Sequence, residues 1–376
     1  MTILVRLLVV VLLGQAALHG SDAAQPATPI RSAVPSEPIA AILDAFRTHS
    51  VVAMSEGGHG NEQAHTFRLA LIRDPRFAAT VDDIVVESGN ALYQETIDRF
   101  VRGDSVSYEE LRKVWQDTTQ RTSVWDRPIY EEFYRAVREV NRTVASDRKL
   151  RVLLGDPPID WDSPPDARSY LRSDSFPTSV IEREVIAKKR KALVVYGLMH
   201  LTRTRAPMTL PSDPAIAPIF AKMAADLQQG SIVAQLERTG ARVFSIATLN
   251  DVDVSLLQPD VANWPRPSLA QIQGTTLGVA SSMLFLPDNP AVIRSRSGAE
   301  ETIKADASRA PMMQAVFDAV LYLGPPSSIT YSRLTRELCA DPAYVKMRVE
   351  RLTEFGVPGR DSAAAFKAEC ARVLQQ

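Results

Sequence analysis

Short apolar runs recur along the chain, separated by longer segments with helical spacing. Residues 50–54, 83–87 (DIVVE), 150–155 (LRVLLG), 191–197 (KALVVYG) and 242–248 (RVFSIAT) read as strands. Residues 277–286 and 319–324 (AVLYLG) are candidates for two more. Between them, residues 38–48, 62–72, 90–101, 107–118 and 129–145 carry apolar positions at helical intervals, and the chain from about residue 331 is helical in pattern. Strands alternating with helices predict an α/β fold: a central, mostly parallel or mixed sheet flanked by helices, with a helical C-terminal region. No internal repeat and no low-complexity tract interrupts it.

The first 24 residues follow a different pattern. Arg6 precedes the apolar run Leu7 to Leu13, and small residues including Ala23 and Ala24 follow a polar stretch. That run is shorter than the roughly 20 residues a bilayer span needs. It reads as a signal peptide cut near Ala23 or Ala24, with a retained membrane anchor as the alternative. The expected organisation is therefore a signal peptide at 1–24, a flexible Pro-rich lead-in at 25–38, and a single α/β domain at 39–376 with a C-terminal helical extension. The mature protein is expected to be secreted or periplasmic, off the membrane after cleavage.

Composition narrows the partners. The 376 residues hold 43 Lys and Arg against 44 Asp and Glu, so the chain lacks the basic excess that a phosphate backbone would attract. A nucleic-acid partner is not expected; a small-molecule substrate is. The two cysteines, Cys339 and Cys370, pair readily in an oxidising compartment, with two buried free thiols as the alternative. No Cys/His spacing matches a zinc motif. The stretch 206–218 (APMTLPSDPAIAP) reads either as a surface connector or as a wall over the site.

The placement of polar residues is more informative. Four predicted strands end in an acid or a histidine: Glu56 with His59, Glu87, Asp156 and His200. The carboxyl ends of parallel strands open onto one edge, where ligand crevices form. Residues far apart in sequence can therefore converge there. Each has a plainer reading: Glu87 as a helix cap, Asp156 as a turn residue before Pro157 and Pro158, and a lone histidine as a hydrogen-bonding residue.

Ser55-Glu56-Gly57-Gly58-His59-Gly60 resembles the Gly-Glu-x-x-His-Gly signature of the erythromycin esterase family. Arg68 stands nine positions after the histidine, as in that pattern. Glu87 and His200 fit the Glu and the His that end later strands. Trp115, the segment 125–130, Asn141 and residues 151–156 extend the resemblance, which covers about residues 40–250. Ser55 stands where the family has Gly, and Gln63 where a Glu is common. The run after His200 differs from the family's, and the inserted helices that shape a macrolide cleft are short here. The wider superfamily includes haem-binding ChaN-like proteins and TraB/Tiki metalloproteases, whose Gly-x-x-His pattern Gly197 to His200 matches by spacing.

The resemblance implies a metal-independent ester hydrolase. In it His59 is the general base and Glu56 orients it. Arg68 steadies a carboxylate or an oxyanion, and Glu87 and His200 complete the cluster. Residue chemistry agrees: an imidazole titrates close to neutrality, and a carboxylate three residues away can fix its tautomer. No Gly-x-Ser-x-Gly elbow is present. No cofactor and no metal is assigned. The same two histidines and two carboxylates would also suit a divalent metal in a Tiki-like hydrolase. A non-catalytic ChaN-like protein binding haem or another apolar ligand is the third reading.

Overall fold

The computed structural model describes residues 30–163, 174–218, 220–221, 230–250, 252–286, 291–294, 298–355 and 362–376. The expected signal peptide and residues 25–29 of the lead-in lie outside the described residues. Among the described residues, no helix is long and apolar enough to cross a membrane.

Among the described residues nine strands form: β1 (Val51–Ser55), β2 (Asp83–Asn90), β3 (Arg151–Asp156), β4 (Ala192–Tyr196), β5 (Val243–Leu249), β6 (Ser268–Gln271), β7 (Ala291–Arg294), β8 (Glu300–Ile303) and β9 (Ala319–Tyr322). Seven of them make one sheet in the order β3-β2-β4-β1-β5-β9-β6. All neighbours run parallel except β6, which pairs antiparallel with β9. The fold is α/β with a mixed, mostly parallel sheet. β7 and β8 form a separate antiparallel hairpin.

The central strands are apolar on both sides because helices cover both faces. Val52 and Met54 of β1 pack on one side with Phe67, Leu71, Ile97 and Tyr134. These come from the layer formed by α1 (Pro38–Ala45), α2 (Glu62–Arg73), α3 (Pro75–Thr80), α4 (Gln94–Arg102), α5 (Tyr108–Gln116) and α6 (Pro128–Thr143). Val51 and Ala53 point the other way, toward Val180 and Ile181 of α7 (Ser175–Ile181) and Ile232 and Leu236 of α8 (Ile232–Arg238). Burying one medium aliphatic side chain contributes about 1.5–3 kcal/mol, so this double-sided core dominates stability.

Several sequence expectations are corrected. Residues 277–286 are not a strand: Thr275 caps a helical turn, Thr276–Val279, and a second turn follows at Ser282–Leu284. The sheet is completed by the four-residue β6 instead. Glu87 does not end its strand; β2 runs on to Asn90 with an irregular register after Val86. Residues 31–37 of the expected flexible lead-in are tied down, with Ser36 exchanging backbone hydrogen bonds with Leu269 and Ala33 with the Gln258 side chain. The Pro-rich stretch 206–218 lies along the β7–β8 hairpin. Thr209 N–H donates to Lys304 O at 2.8 Å, and Ile216 joins Ile293 and Ile303 in a small satellite core.

The C-terminal region folds as α9 (Arg336–Ala340), α10 (Pro342–Phe355) and α11 (Ala363–Gln375) around Leu334, Tyr344, Leu352 and Phe366. Cys339 and Cys370 are disulfide-bonded, with Cα atoms 5.1 Å apart. Arg348 of α10 is buried and grips Asp126 with both arms of its guanidinium, at 2.7 Å (Nε) and 2.6 Å (Nη2).

Candidate active site

β1 and β4 run parallel and adjacent, so the turns that leave them stand side by side. The turn after β1 is built to present His59. Glu56 N–H donates to Tyr196 O of β4 at 3.0 Å. The Ser55 hydroxyl accepts from Thr248 N–H of β5 at 2.9 Å, which gives this serine a structural task. Asn61 then caps α2. Gly60 has φ +87°, and a Cβ there would collide with the Arg127 guanidinium, whose Nη1 donates to His59 O at 3.0 Å. The turn is therefore held from the β5 side and from the α6 side.

Glu56 is 6% exposed and reaches His59 Nδ1 with Oε1 at 2.6 Å. Its other oxygen accepts from the Tyr130 hydroxyl at 3.3 Å. Trp125 packs edge-on against the His59 ring, centroids 4.7 Å apart. Burial alone would push the Glu56 carboxyl up; the charge and hydrogen bond of His59, with Arg68 and Tyr130, hold it below its ordinary value. Burial likewise pulls the imidazole down, yet Glu56 and then Glu87 outweigh it and raise His59 to about 9.

A second histidine–carboxylate pair faces the first. His200 follows β4 on a single helical turn, Leu198–Leu201, and its Nδ1 lies 2.5 Å from Asp174 Oδ1. Its Nε2 is 3.5 Å from Glu87 Oε1. The other Glu87 oxygen accepts from Gly197 N–H at 2.7 Å. Burial lowers the His200 ring; Glu87 and Asp174 more than offset it and raise it to about 9. The two rings flank one point. A Cβ on Gly197 would sit 3.5 Å from an atom of each ring and 3.4 Å from Glu87 Oε2.

The fold thus brings Glu56, His59, Glu87 and His200 to one carboxyl edge, around a cleft of about 440 Å³ that His59 and His200 line. Arg68 lies elsewhere. It is 5% exposed, on α2 behind Glu56, and borders a water-sized cavity of about 10 Å³ with Glu56, Glu87, Ser88 and Tyr130. Its Nε has no hydrogen-bond partner among the described residues. From there it acts on Glu56 by charge and does not line the cleft. Asp156 ends β3 and accepts from Thr119 N–H at 2.7 Å and Thr119 Oγ1 at 2.5 Å; burial pushes it up to about 8. His65 is structural: it is buried in α2, its Nε2 pairs with Glu132 at 3.0 Å, and burial with Arg68 and Arg73 lowers it to about 3. Asp174 escaped the sequence reading, because an acid before a helix looks like an ordinary cap.

One ligand atom each from Glu56, His59 and Glu87 lie within 4.8 Å of one another, a spacing that would also admit a divalent cation.

No family model and no curated protein matches the chain. Among solved structures it is similar to a Bacillus cereus protein (TM-score 0.45, 10% identity, covering 81% of this chain and 96% of that one). It is also similar to a succinoglycan biosynthesis protein (TM-score 0.46, 8% identity, 78% and 94% covered). A third similar structure is ChaN of Campylobacter jejuni with cofacial heme binding (TM-score 0.36, 12% identity, 57% and 87% covered).

Proposed function

We propose that this chain is a secreted or periplasmic hydrolase resembling the erythromycin esterases, in which His59 activates water against an ester or lactone. The observation that carries the reading is the 2.6 Å Glu56–His59 bond with the ring lining the cleft. Glu56 holds Nδ1 and fixes the tautomer, leaving Nε2 for a water. Neutral His59 takes a proton from that water as its oxygen attacks the carbonyl carbon. Protonated His200, oriented by Asp174, gives its proton to the departing alkoxide as the carbon–oxygen bond breaks. The carboxylic acid and alcohol leave; the proton on His59 returns to solvent and His200 takes one back from solvent, which resets both rings. Arg68 keeps Glu56 ionised from behind.

The second reading rests on the Glu56, His59 and Glu87 spacing. These three would hold a divalent metal, which when bound supplies Lewis-acid polarisation of a carbonyl or a more acidic water. An esterase and lactonase panel run with metal analysis separates the two. Turnover that survives exhaustive chelation supports the first; turnover lost on chelation and restored by metal supports the second. No turnover of any ester or lactone overturns the first; peptide substrates join the same panel, and no metal-dependent turnover of any ester, lactone or peptide overturns the second. Amino-terminal sequencing of protein from the periplasm or medium should begin just after Ala23 or Ala24. An intact Met1 there would refute export with cleavage.

A further inference from the structure

The cleft is lined by two unlike sets of residues: His59 and His200, and the apolar Leu198, Met199, Leu249, Val252, Phe285 and Leu286. Leu249, Phe285 and Leu286 belong to the second hydrophobic core, and Leu198, Met199 and Val252 are half-buried against it. The apolar side chains at the cleft are therefore backed by packed structure and hold their positions. Residues 277–286, which the sequence pattern suggested as a strand, end in this apolar set.

Charge around the cleft is already paired. Glu56 is engaged by His59, Asp174 by His200, and Glu87 by Gly197 N–H and His200. No Lys or Arg is among the described residues lining the cleft. Arg205, next to that loop, donates to Met199 O and, at 2.8 Å, to Thr202 Oγ1. An anionic substrate would find no free cation among these groups. A cationic one would compete with the two histidines for the same carboxylates.

Resting on the hydrolase reading, we infer that the substrate is an uncharged ester or lactone with a medium-length apolar acyl group. The alkyl chain lies along Leu198, Met199, Val252 and Phe285, and the carbonyl sits between the two rings above Gly197. The volume of about 440 Å³ falls in the range of small-molecule pockets, about 300–1,000 Å³.

The test is calorimetric binding of acetamide, butanamide, hexanamide and octanamide, with octanoate as the charged counterpart, to the full-length mature protein. Primary amides are neutral and resemble the ester. Affinity should rise about threefold to fourfold per added methylene until the slot is filled, and octanoate should bind more weakly than octanamide. Val252→Asp and, separately, Phe285→Ala should flatten the series. Val252 is only half-buried, so at least that variant should fold. Nitrophenyl esters of the same acyl lengths, run in parallel, should show kcat/KM climbing in the same order. If the amide series climbs but no ester turns over, the hydrolase reading fails and the acyl slot stands. If esters turn over without dependence on chain length, if the amide series is flat, if octanoate matches octanamide, or if both variants leave the series unchanged, the inference is overturned.

Discussion

At the scale of single residues, the Glu56–His59 pair makes the sharpest demand. His59→Ala should lower kcat/KM by about 10²–10⁴-fold with little change in melting temperature. Glu56→Gln should also lose activity, because an amide can hold Nδ1 but cannot stabilise an imidazolium. A variant that loses melting temperature yet keeps its specific activity would mean His59 only braces the turn. The pH profile is equally specific. A base of ordinary histidine pKa would give a plateau from about pH 7; with His59 raised to about 9, kcat/KM should climb to nearly pH 9. Asp174→Asn should slow alkyl esters more than nitrophenyl esters, since a good leaving group needs no proton, and Asp174→Glu should restore part of the difference. Equal slowing of both would remove Asp174 and His200 from leaving-group protonation. Glu56, His59 and His200 were legible in the sequence because each follows an apolar run directly. Asp174 was not: it lies 18 residues beyond the end of β3 and converges only through the fold.

At the scale of elements, α10 is tied to the segment beside His59 by a buried ion pair. Arg348 of α10 grips Asp126 and donates to Gln116 O at 2.8 Å; Tyr344 also donates to Asp126. Asp126 follows Trp125, the ring that packs on His59, and precedes Arg127, which holds the His59 carbonyl. Arg348→Ala leaves Asp126 buried without its cation and should cost about 3–5 kcal/mol in urea unfolding. A loss below about 1 kcal/mol would mean that water reaches the pair. The disulfide secures the same region. Cys339 and Cys370 are 31 positions apart in sequence, and replacing both with Ser should cost about 2–4 kcal/mol. Thiol titration of the denatured, unreduced protein should find none; two would refute the bond. The elements of the main sheet were readable because parallel strands buried on both faces are continuous apolar runs. Residues 277–286 misled because apolar content alone cannot separate a strand from helical turns packed on a core. β6 was missed because Ser268–Gln271 is too short to show a period.

For the whole molecule, stability and activity should pull apart with pH. A histidine whose pKa is higher folded than unfolded contributes stability fully below about 6.5, and that contribution is lost as pH rises through the folded value. His59 and His200, both raised to about 9, therefore make the native state hold more protons than the unfolded chain between about pH 6.5 and 9. Asp156, raised to about 8, adds in the same direction up to its own pKa, because its unfolded counterpart is already ionised. His65 is lowered and acts the other way, but only below about pH 6.5, outside this window. The slope of unfolding free energy with pH is thus negative from neutrality to pH 9, the interval in which neutral His59 accumulates and the proposed hydrolysis accelerates. Melting temperature should fall while kcat/KM rises across the same buffers. Replacing both His59 and His200 with Gln should flatten the melting curve against pH, leaving only the Asp156 component below pH 8. A wild-type melting temperature that stays level from pH 6.5 to 9 would show that the two imidazoles titrate as they do in the unfolded chain. Any alkaline rise in activity would then have to come from a group other than His59.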